Sequence, residues 1–460
     1  MIDHQDLISI VGEQNVLIGD DVHARNVAWG RDEPCLAHAI VRPGNTREVA
    51  EVVRACARAG QTIVTHGGRT GLAGGAVTRA RDIVISLERF DQIEAISRED
   101  RTALVGAGVI VQKLQDAASD IGLSFTVDFG ARGSATVGGA ISTNAGGNRV
   151  VRFGMMREHI LGLEVVLADG TVIDALKGLI KDNSGYDLKH LFIGAEGTLG
   201  IVTRAVVRLR PQLVSRNAAL LAMPDFGSVL RFLPWIEAAL GGSMSAFEVM
   251  WTEFYDVVTA DLSGNPPLPR GSAFYVLVES EGGNMEADAR HFEEVMGRAI
   301  ELGMFDDAVL AKSVAEREAL WALRDDVDAL VRLGDRLDFD VSLPASHIEA
   351  YVDGVRGEVA ALSPDIRCIA FGHLADGNIH IMVSRAEPLD AATRRSIKEA
   401  VYAPLRALGG SISAEHGVGL EKKDYMSQSR SAVELSLMRS VKLMLDQNNI
   451  LNPGKVINLT

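Results

Sequence analysis

Apolar positions along this chain switch between a helical period and strict alternation, and the switches outline its elements. Asn45-Thr-Arg-Glu48 reads as a capping box, Val49, Val52, Val53 and Cys56 then share one helical face, and Gly60 supplies the stop. Residues 62–65 and 83–87 are β-branched runs that predict strands, with a glycine loop between them. A second helix is expected near 111–121, closed by Gly122, then a hairpin from 163 to 173 and an alternating strand over 200–209 that ends before Pro211. Pro211 sets the first domain boundary. Beyond it, strands are expected at 272–279, 340–344 and 367–384 and helices at 285–303 and 314–331, followed by an amphipathic tail helix over 432–446. Helices and hairpins are segregated, which predicts an α+β fold with an antiparallel sheet rather than a doubly wound parallel one. The expected organisation is 1–211, a substrate-binding α+β domain over 212–408, and a C-terminal segment over 409–460 that packs back on the first domain.

The 368–383 stretch carries the first chemical signal. Its apolar alternation is interrupted by Asp376-Gly377, a strong hairpin dipeptide. On one straight strand His373 and His380 would point to opposite faces. A two-residue loop at 376–377 instead sets them directly opposite on one face, with Cβ atoms about 4.5–5.5 Å apart. That spacing suits two imidazoles on one metal ion. A packed or solvated histidine pair explains this segment equally well when it is read alone. Glu415-His416, in the glycine-bracketed stretch 409–419, adds a carboxylate and a third imidazole. Two histidines and one carboxylate are a common catalytic metal set with positions left open for substrate.

Composition narrows the class. A chain of 460 residues exceeds a single core, and 47% hydrophobic with 23% charged residues is ordinary for a globular protein. A net charge of −15 argues against nucleic acid or an anionic membrane as the main partner. No run of about 18 apolar residues exists to span a bilayer. Residues 1–6 lack the basic-then-apolar pattern of a secretory signal, and Cys35, Cys56 and Cys368 are isolated, so a reducing, cytoplasmic setting is expected.

Glycine is the outlier, with 46 residues in clusters. His66-Gly-Gly-Arg-Thr-Gly-Leu-Ala-Gly-Gly75 follows a predicted strand, and such spacing turns successive backbone N–H groups toward one anion. It is neither a Walker A loop nor the dinucleotide G-x-G-x-x-G pattern. The 128–148 stretch is small and polar for some twenty positions, which fits backbone lying against an extended flat ligand, and 183–200 repeats the theme. Spacing alone carries this as far as a large phosphate-bearing ligand.

Gly67-Gly-Arg-Thr-Gly-Leu-Ala-Gly-Gly75, Gly138-Gly-Ala-Ile-Ser-Thr-Asn-Ala-Gly-Gly147, Gly185-Tyr-Asp-Leu188 and Gly194-Ala-Glu-Gly-Thr-Leu-Gly-Ile201 resemble the FAD-linked oxidases of the vanillyl-alcohol oxidase type. Gly372-His-Leu-Ala-Asp-Gly-Asn-Ile-His380, Glu415-His-Gly-Val-Gly419 and Asn452-Pro-Gly-Lys455 are similar to the D-2-hydroxyacid dehydrogenase branch, which includes D-lactate and D-2-hydroxyglutarate dehydrogenases and the glycolate oxidase FAD subunit. The resemblance covers nearly the whole chain, in order. It implies a two-subdomain FAD-binding domain in which Gly67, Gly68, Arg69, Thr70, Gly71, Leu72 and Gly75, preceded by His66, hold the pyrophosphate. Asp128, Ser134, Ala135, Thr136, Gly138, Gly139, Thr143, Asn144, Gly146, Gly147 and Gly154 would line the flavin and its phosphates. Arg42, Pro43, Glu196, Gly197, Gly200, Ile201, Val202 and Asn452 would complete the site. Relatives with covalent flavin carry a histidine where this chain has Arg69, so noncovalent FAD is expected.

For the chemistry, the hairpin reading and the resemblance agree on His373, His380 and Glu415 as ligands of a divalent metal, the resemblance favours Arg324 as the substrate-carboxylate anchor, and His416, beside a ligand, is the candidate base. Histidine ligands suit zinc, and the single carboxylate leaves manganese or iron open. The expected reaction oxidises a D-2-hydroxyacid to the 2-oxoacid, with hydride to flavin and electrons onward to electron-transfer flavoprotein, a quinone or a cytochrome. From its residues alone, Arg324 reads equally well as an exposed helical arginine paired with Asp325 or Asp328. The chain departs from the hydroxyglutarate pattern at two places: Asp338 replaces a usual lysine and Met382 a usual asparagine. An anion near a second substrate carboxylate repels it, so a D-lactate-like or hydrophobic monocarboxylate is expected, with D-2-hydroxyglutarate or a role as the FAD subunit of a glycolate oxidase-like complex as alternatives. A homodimer is the expected assembly. Non-redox chemistry on the same flavin fold remains the rival that needs no metal.

Overall fold

The computed structural model describes residues 1–28, 33–262 and 264–459. The chain forms two compact units, one of residues 1–147, 154–212 and 415–460 and the other of 148–153 and 213–414.

Among the described residues the first unit holds two larger sheets and a two-stranded one that pairs Leu123–Ser124 with Arg210–Pro211. Ala39–Val41, Ile83–Ser86 and Ile63–His66 run parallel, with Val16–Leu17 added antiparallel at one edge. The helix Thr46–Ala59 links them as the pattern predicts: the Asn45 side chain accepts from the Glu48 N–H, Gly60 ends the helix in the left-handed region, and Val49, Val52, Val53 and Cys56 are buried. A five-stranded antiparallel sheet follows, in the order Ile93–Ser97, Thr102–Gly106, Ile201–Arg208, Ile160–Val166, Val172–Ala175. The last two strands are the predicted hairpin. Residues 415–460 belong to this unit through backbone pairing: Ile63 N–H donates to Ile450 O and Asn452 N–H to Ile63 O, both at 2.7 Å. The tail helix Ala432–Leu445 is anchored by a charge rather than an apolar stripe. Lys442 is buried and donates to the carbonyls of Thr198 and Leu451, each at 2.8 Å, and to Asp446 at 2.5 Å.

The second unit is built on a seven-stranded sheet, antiparallel throughout, in the order Asp307–Leu310, Ser215–Met223, Phe274–Gly282, Met244–Trp251, Arg367–His373, Asn378–Arg385, Asp335–Ser342. One face packs Met250, Tyr275, Leu277, Ile369, Phe371 and Met382 against Phe254, Tyr255, Leu320 and Trp321 from the helices Thr252–Thr259 and Val314–Asp325. Burying each such side chain contributes roughly 1.5–3 kcal/mol, so apolar packing holds this face. The predicted single helix over 314–331 is two helices. It breaks at Asp326, whose ψ of 62° leaves the helical range and whose side chain caps the Ala329 N–H of Val327–Val331. A local side-chain-to-backbone bond has won over helix continuation.

Asn148–Phe153, cut from between two glycine-rich segments, joins the second unit through a buried ion network. Arg149 lies 3.0 Å from Glu279 and 3.1 Å from Glu281, Trp321 Nε1 donates to Glu279 at 2.8 Å, and the Arg149 guanidinium sits 5.4 Å over the Trp321 ring. Gly147, with φ of +148°, begins the excursion in a place where a Cβ would lie 1.9 Å from Asp128 O. Only glycine fits there.

Candidate active site

The 367–385 hairpin corrects the predicted register. Phe371, not His373, lies directly opposite His380, because the loop is the 3-10 turn Leu374–Asp376 closed by a left-handed Gly377 instead of two residues. The slip is two residues, and with a side-chain period of two it leaves both histidines on one face. His373 pairs across the other side with Glu248. The two imidazoles meet nearly perpendicular, with ring centroids 5.2 Å apart and Nε2 atoms 3.4 Å apart. Two nitrogens each about 2.0–2.1 Å from one tetrahedral zinc stand roughly 3.3 Å apart.

Glu248 organises this pair. Its Oε1 accepts from His373 Nδ1 at 2.6 Å and its Oε2 from Arg324 Nε at 2.7 Å. Burial pushes its pKa up, but the Arg324 and His373 charges outweigh burial and hold it at about 2. A carboxylate on Nδ1 fixes the tautomer that leaves the Nε2 lone pair for a metal, the arrangement usual for histidine ligands. Arg324 is therefore not an exposed helical arginine. It is buried, packs over Phe371 at 5.3 Å, and brings Nη2 within 3.3 Å of His373 Nε2, while Asp325 is a secondary contact at 3.5 Å. Its Nη2 lies about equally near both ring nitrogens of His373, 3.4 Å from Nδ1 and 3.3 Å from Nε2.

Met382 follows His380 on the same face, buried, with Asp338 opposite it in register. The Asp338 carboxylate is exposed and bound to Arg336 Nε at 2.8 Å. Glu415 and His416 stand at the start of the C-terminal part of the first unit. The preceding residue, Ala414, donates its N–H to Asp340 O at 3.3 Å, and Asp340 is the strand partner of His380.

In the first unit the glycine-rich segments pack on one another. A Cβ on Gly68 would fall 2.2 Å from Ser134 O, so the 67–75 loop lies against 134–136 only because side chains are missing. Several polar groups there brace the backbone: Thr136 caps the helix Val137–Thr143 through Gly139 N–H, Thr143 bonds back to Gly139 O, and Asn144 Oδ1 accepts from Arg157 N–H. Asp128 pairs with Arg132, and Arg42 shares Glu88 with Arg25. His66 is buried with Nε2 2.8 Å from Ala76 O, and burial drives its pKa down to about 3, so the ring is neutral and donates to that carbonyl. Asn452 Nδ2 donates to Glu196 O at 2.7 Å. Lys455, absent from the expected site, ties the loop by donating to Gly75 O at 2.7 Å and Val77 O at 2.6 Å.

Comparison with known proteins gives the class, a flavin-dependent oxidoreductase. A family model for FAD linked oxidases, C-terminal domain, matches residues 213–456, and one for an FAD binding domain matches 37–176. The probable mitochondrial D-2-hydroxyglutarate dehydrogenase of Oryza sativa subsp. indica is 37% identical over 453 residues, 98% of this chain and 80% of the relative. D-2-hydroxyglutarate dehydrogenase of Stutzerimonas stutzeri is 35% identical, covering 95% of this chain and 94% of the relative. The fold matches p-cresol methylhydroxylase with a TM-score of 0.78 at 17% identity (99% of this chain, 96% of that one) and alkyldihydroxyacetonephosphate synthase with 0.74 at 15% (98% and 85%). The chain belongs to the FAD-linked oxidase family, alongside D-2-hydroxyglutarate dehydrogenases, and is an FAD-dependent oxidoreductase acting on CH–OH groups. No helix among the described residues is long and apolar enough to cross a membrane.

Proposed function

We propose that this protein is a metal-assisted D-2-hydroxyacid dehydrogenase whose preferred substrate carries one carboxylate. The observation that carries the reading is the His373–His380 pair, with Nε2 atoms at chelating separation and Glu248 bracing one ring. Glu415 is the third ligand: it is the next residue after Ala414, whose N–H is bound to the strand partner of His380. A divalent ion held there would chelate the substrate's hydroxyl and C1 carboxylate and lower the hydroxyl pKa. Arg324 directs its guanidinium at the same carboxylate and sets the orientation of C2. His416 takes the hydroxyl proton. Noncovalent FAD, held by the glycine loops of the first unit, would accept the C2 hydrogen with two electrons. Lack of a covalent tether is supported by Arg69 at the tethering position and by His66, whose ring is bonded to Ala76 O. Electrons then pass to an external acceptor such as electron-transfer flavoprotein, a quinone or a cytochrome.

Substrate choice follows from Met382 and Asp338. A thioether on the buried face favours an apolar substrate side chain, and Asp338 across from it, already ion-paired to Arg336, offers no cation to a second carboxylate. D-2-hydroxyglutarate is the second reading, favoured by the relatives' activity. Comparison of kcat/KM for D-lactate, a longer aliphatic D-2-hydroxyacid and D-2-hydroxyglutarate separates the two. Wild type is expected to prefer a monocarboxylate by about tenfold or more, and Asp338→Lys with Met382→Asn to shift preference toward the dicarboxylate. A wild-type preference for D-2-hydroxyglutarate would overturn the substrate assignment while leaving the reaction class intact.

A further inference from the structure

One buried carboxylate in the flavin-binding unit, Glu196, which the resemblance placed at the edge of the FAD site, turns its side chain onto the segment that supplies Glu415 and His416. Glu196 sits on the 194–200 glycine turn with φ of +50°, a conformation that L residues rarely adopt. Its backbone is fixed on both sides, the N–H donating to Ser142 O and the carbonyl accepting from Asn452 Nδ2, each at 2.7 Å. The side chain leaves the turn and caps two successive amides: Oε1 accepts from Val418 N–H at 2.6 Å and Oε2 from Gly419 N–H at 2.9 Å. Gly417, at φ +77°, makes the approach possible, since a Cβ there would fall 2.8 Å from Oε1. A second tie follows, with Leu420 N–H and Glu421 N–H donating to Ala73 O of the 67–75 loop at 2.9 and 3.2 Å. Residues 417–421 are thus bound to two glycine-rich segments of their own unit.

We infer that Glu196 is a positioning residue: its carboxylate fixes where Glu415 and His416 stand relative to the glycine loops of the flavin-binding unit. The inference rests on the ligand and base roles proposed for Glu415 and His416. A carboxylate accepting two neighbouring N–H groups is a strong, directional clamp, and a reacting group misplaced by about 1 Å can lose around a hundredfold in rate. Glutamine keeps the shape but turns an NH2 group toward one of the two amide donors. Aspartate keeps the charge on a shorter stem and can hold only one of them without movement.

The test uses full-length protein loaded with FAD, as wild type, Glu196→Gln, Glu196→Asp and Gly417→Ala, the last of which crowds the same oxygen from the other side. Three quantities are read: hydrogen exchange of the 415–420 peptide, the Zn2+ dissociation constant by competition with a chromogenic chelator, and kcat with D-lactate. In Glu196→Gln, exchange of this peptide is expected to speed up and the zinc constant, read on protein matched for FAD content, to rise by about tenfold or more, with Glu196→Asp intermediate. Gly417→Ala is expected to reproduce the shift even if Glu196→Gln does not fold. Unchanged exchange at 415–420 would overturn the inference. So would loss of FAD and stability with an unaltered zinc constant, the mark of a purely structural residue. Full wild-type turnover after metal removal would defeat the metal reading instead, and exchange together with kcat would still decide the role of Glu196.

Discussion

Glutamine in place of Glu248 is expected to lower kcat by about a hundredfold and to weaken metal binding by about ten- to a hundredfold. The carboxylate serves two buried donors at once, His373 Nδ1 and Arg324 Nε. An amide has one oxygen. If that oxygen faces His373, the NH2 group confronts Arg324, and if it faces Arg324, His373 loses the acceptor that fixes its tautomer. Arg324 also loses its buried counter-charge, and breaking a buried pair costs about 3–5 kcal/mol. The pH dependence has a definite sign. Glu248 is held at about 2, below the ordinary carboxylate value, so its stabilisation is complete above that ordinary value and is lost as pH falls toward 2. The Glu248→Gln protein should therefore lose less stability than wild type over that acid range. Turnover and zinc affinity within twofold of wild type would show that Glu248 does not organise the site.

The second large effect is expected at Arg149, outside the site. Glu279 is fully buried, and apart from Arg149 its carboxylate is met by two neutral donors, Ser245 Oγ at 3.0 Å and Trp321 Nε1 at 2.8 Å. Arg149→Met removes the charge and leaves the carboxylate under-compensated, at about 3–5 kcal/mol. For a unit of this size that corresponds to a fall in Tm of roughly 6–20 °C. Trp321 lies one turn before Arg324 on the same helix, so KM for the hydroxyacid should rise as well. Combining Arg149→Met with Glu279→Gln should recover part of the lost stability, because both sides of the pair are then neutral. A single-variant shift below about 2 °C would mean that the network is solvated and contributes little.

These two residues also mark where sequence reading stops. The histidine pair, the glycine loops, the capped helix at Thr46–Ala59 and the 160–175 hairpin were legible because each rests on local chemistry: a turn dipeptide, a cap, an alternation. The hairpin register was not. An Asp-Gly pair announces a turn, but its length depends on whether the preceding residues coil, and here Leu374–Asp376 do. Same-face pairing survived only because the slip was even. Glu248 and Glu279 were missed because their partners are far along the chain, Arg324 and His373 for one and Arg149 for the other. A signal was nevertheless present: Glu248 is the one carboxylate in the largely apolar strand Met244–Trp251, and Glu279 ends the apolar run of Phe274–Gly282 two residues before Glu281, places where an unpaired charge would be too expensive to keep. The break at Asp326 was likewise visible in kind, as an aspartate able to cap, but not in outcome.

The central claim is that a hydroxyacid reduces the bound flavin with the help of a metal at His373, His380 and Glu415. The most direct measurement follows flavin absorbance anaerobically as D- and L-2-hydroxyacids are added, before and after complete removal of divalent metal and again after Zn2+ or Mn2+ is restored. Bleaching by a D-2-hydroxyacid that disappears with the metal and returns with it is the predicted result. Bleaching that persists unchanged in metal-free protein, or no bleaching by any 2-hydroxyacid, would contradict it.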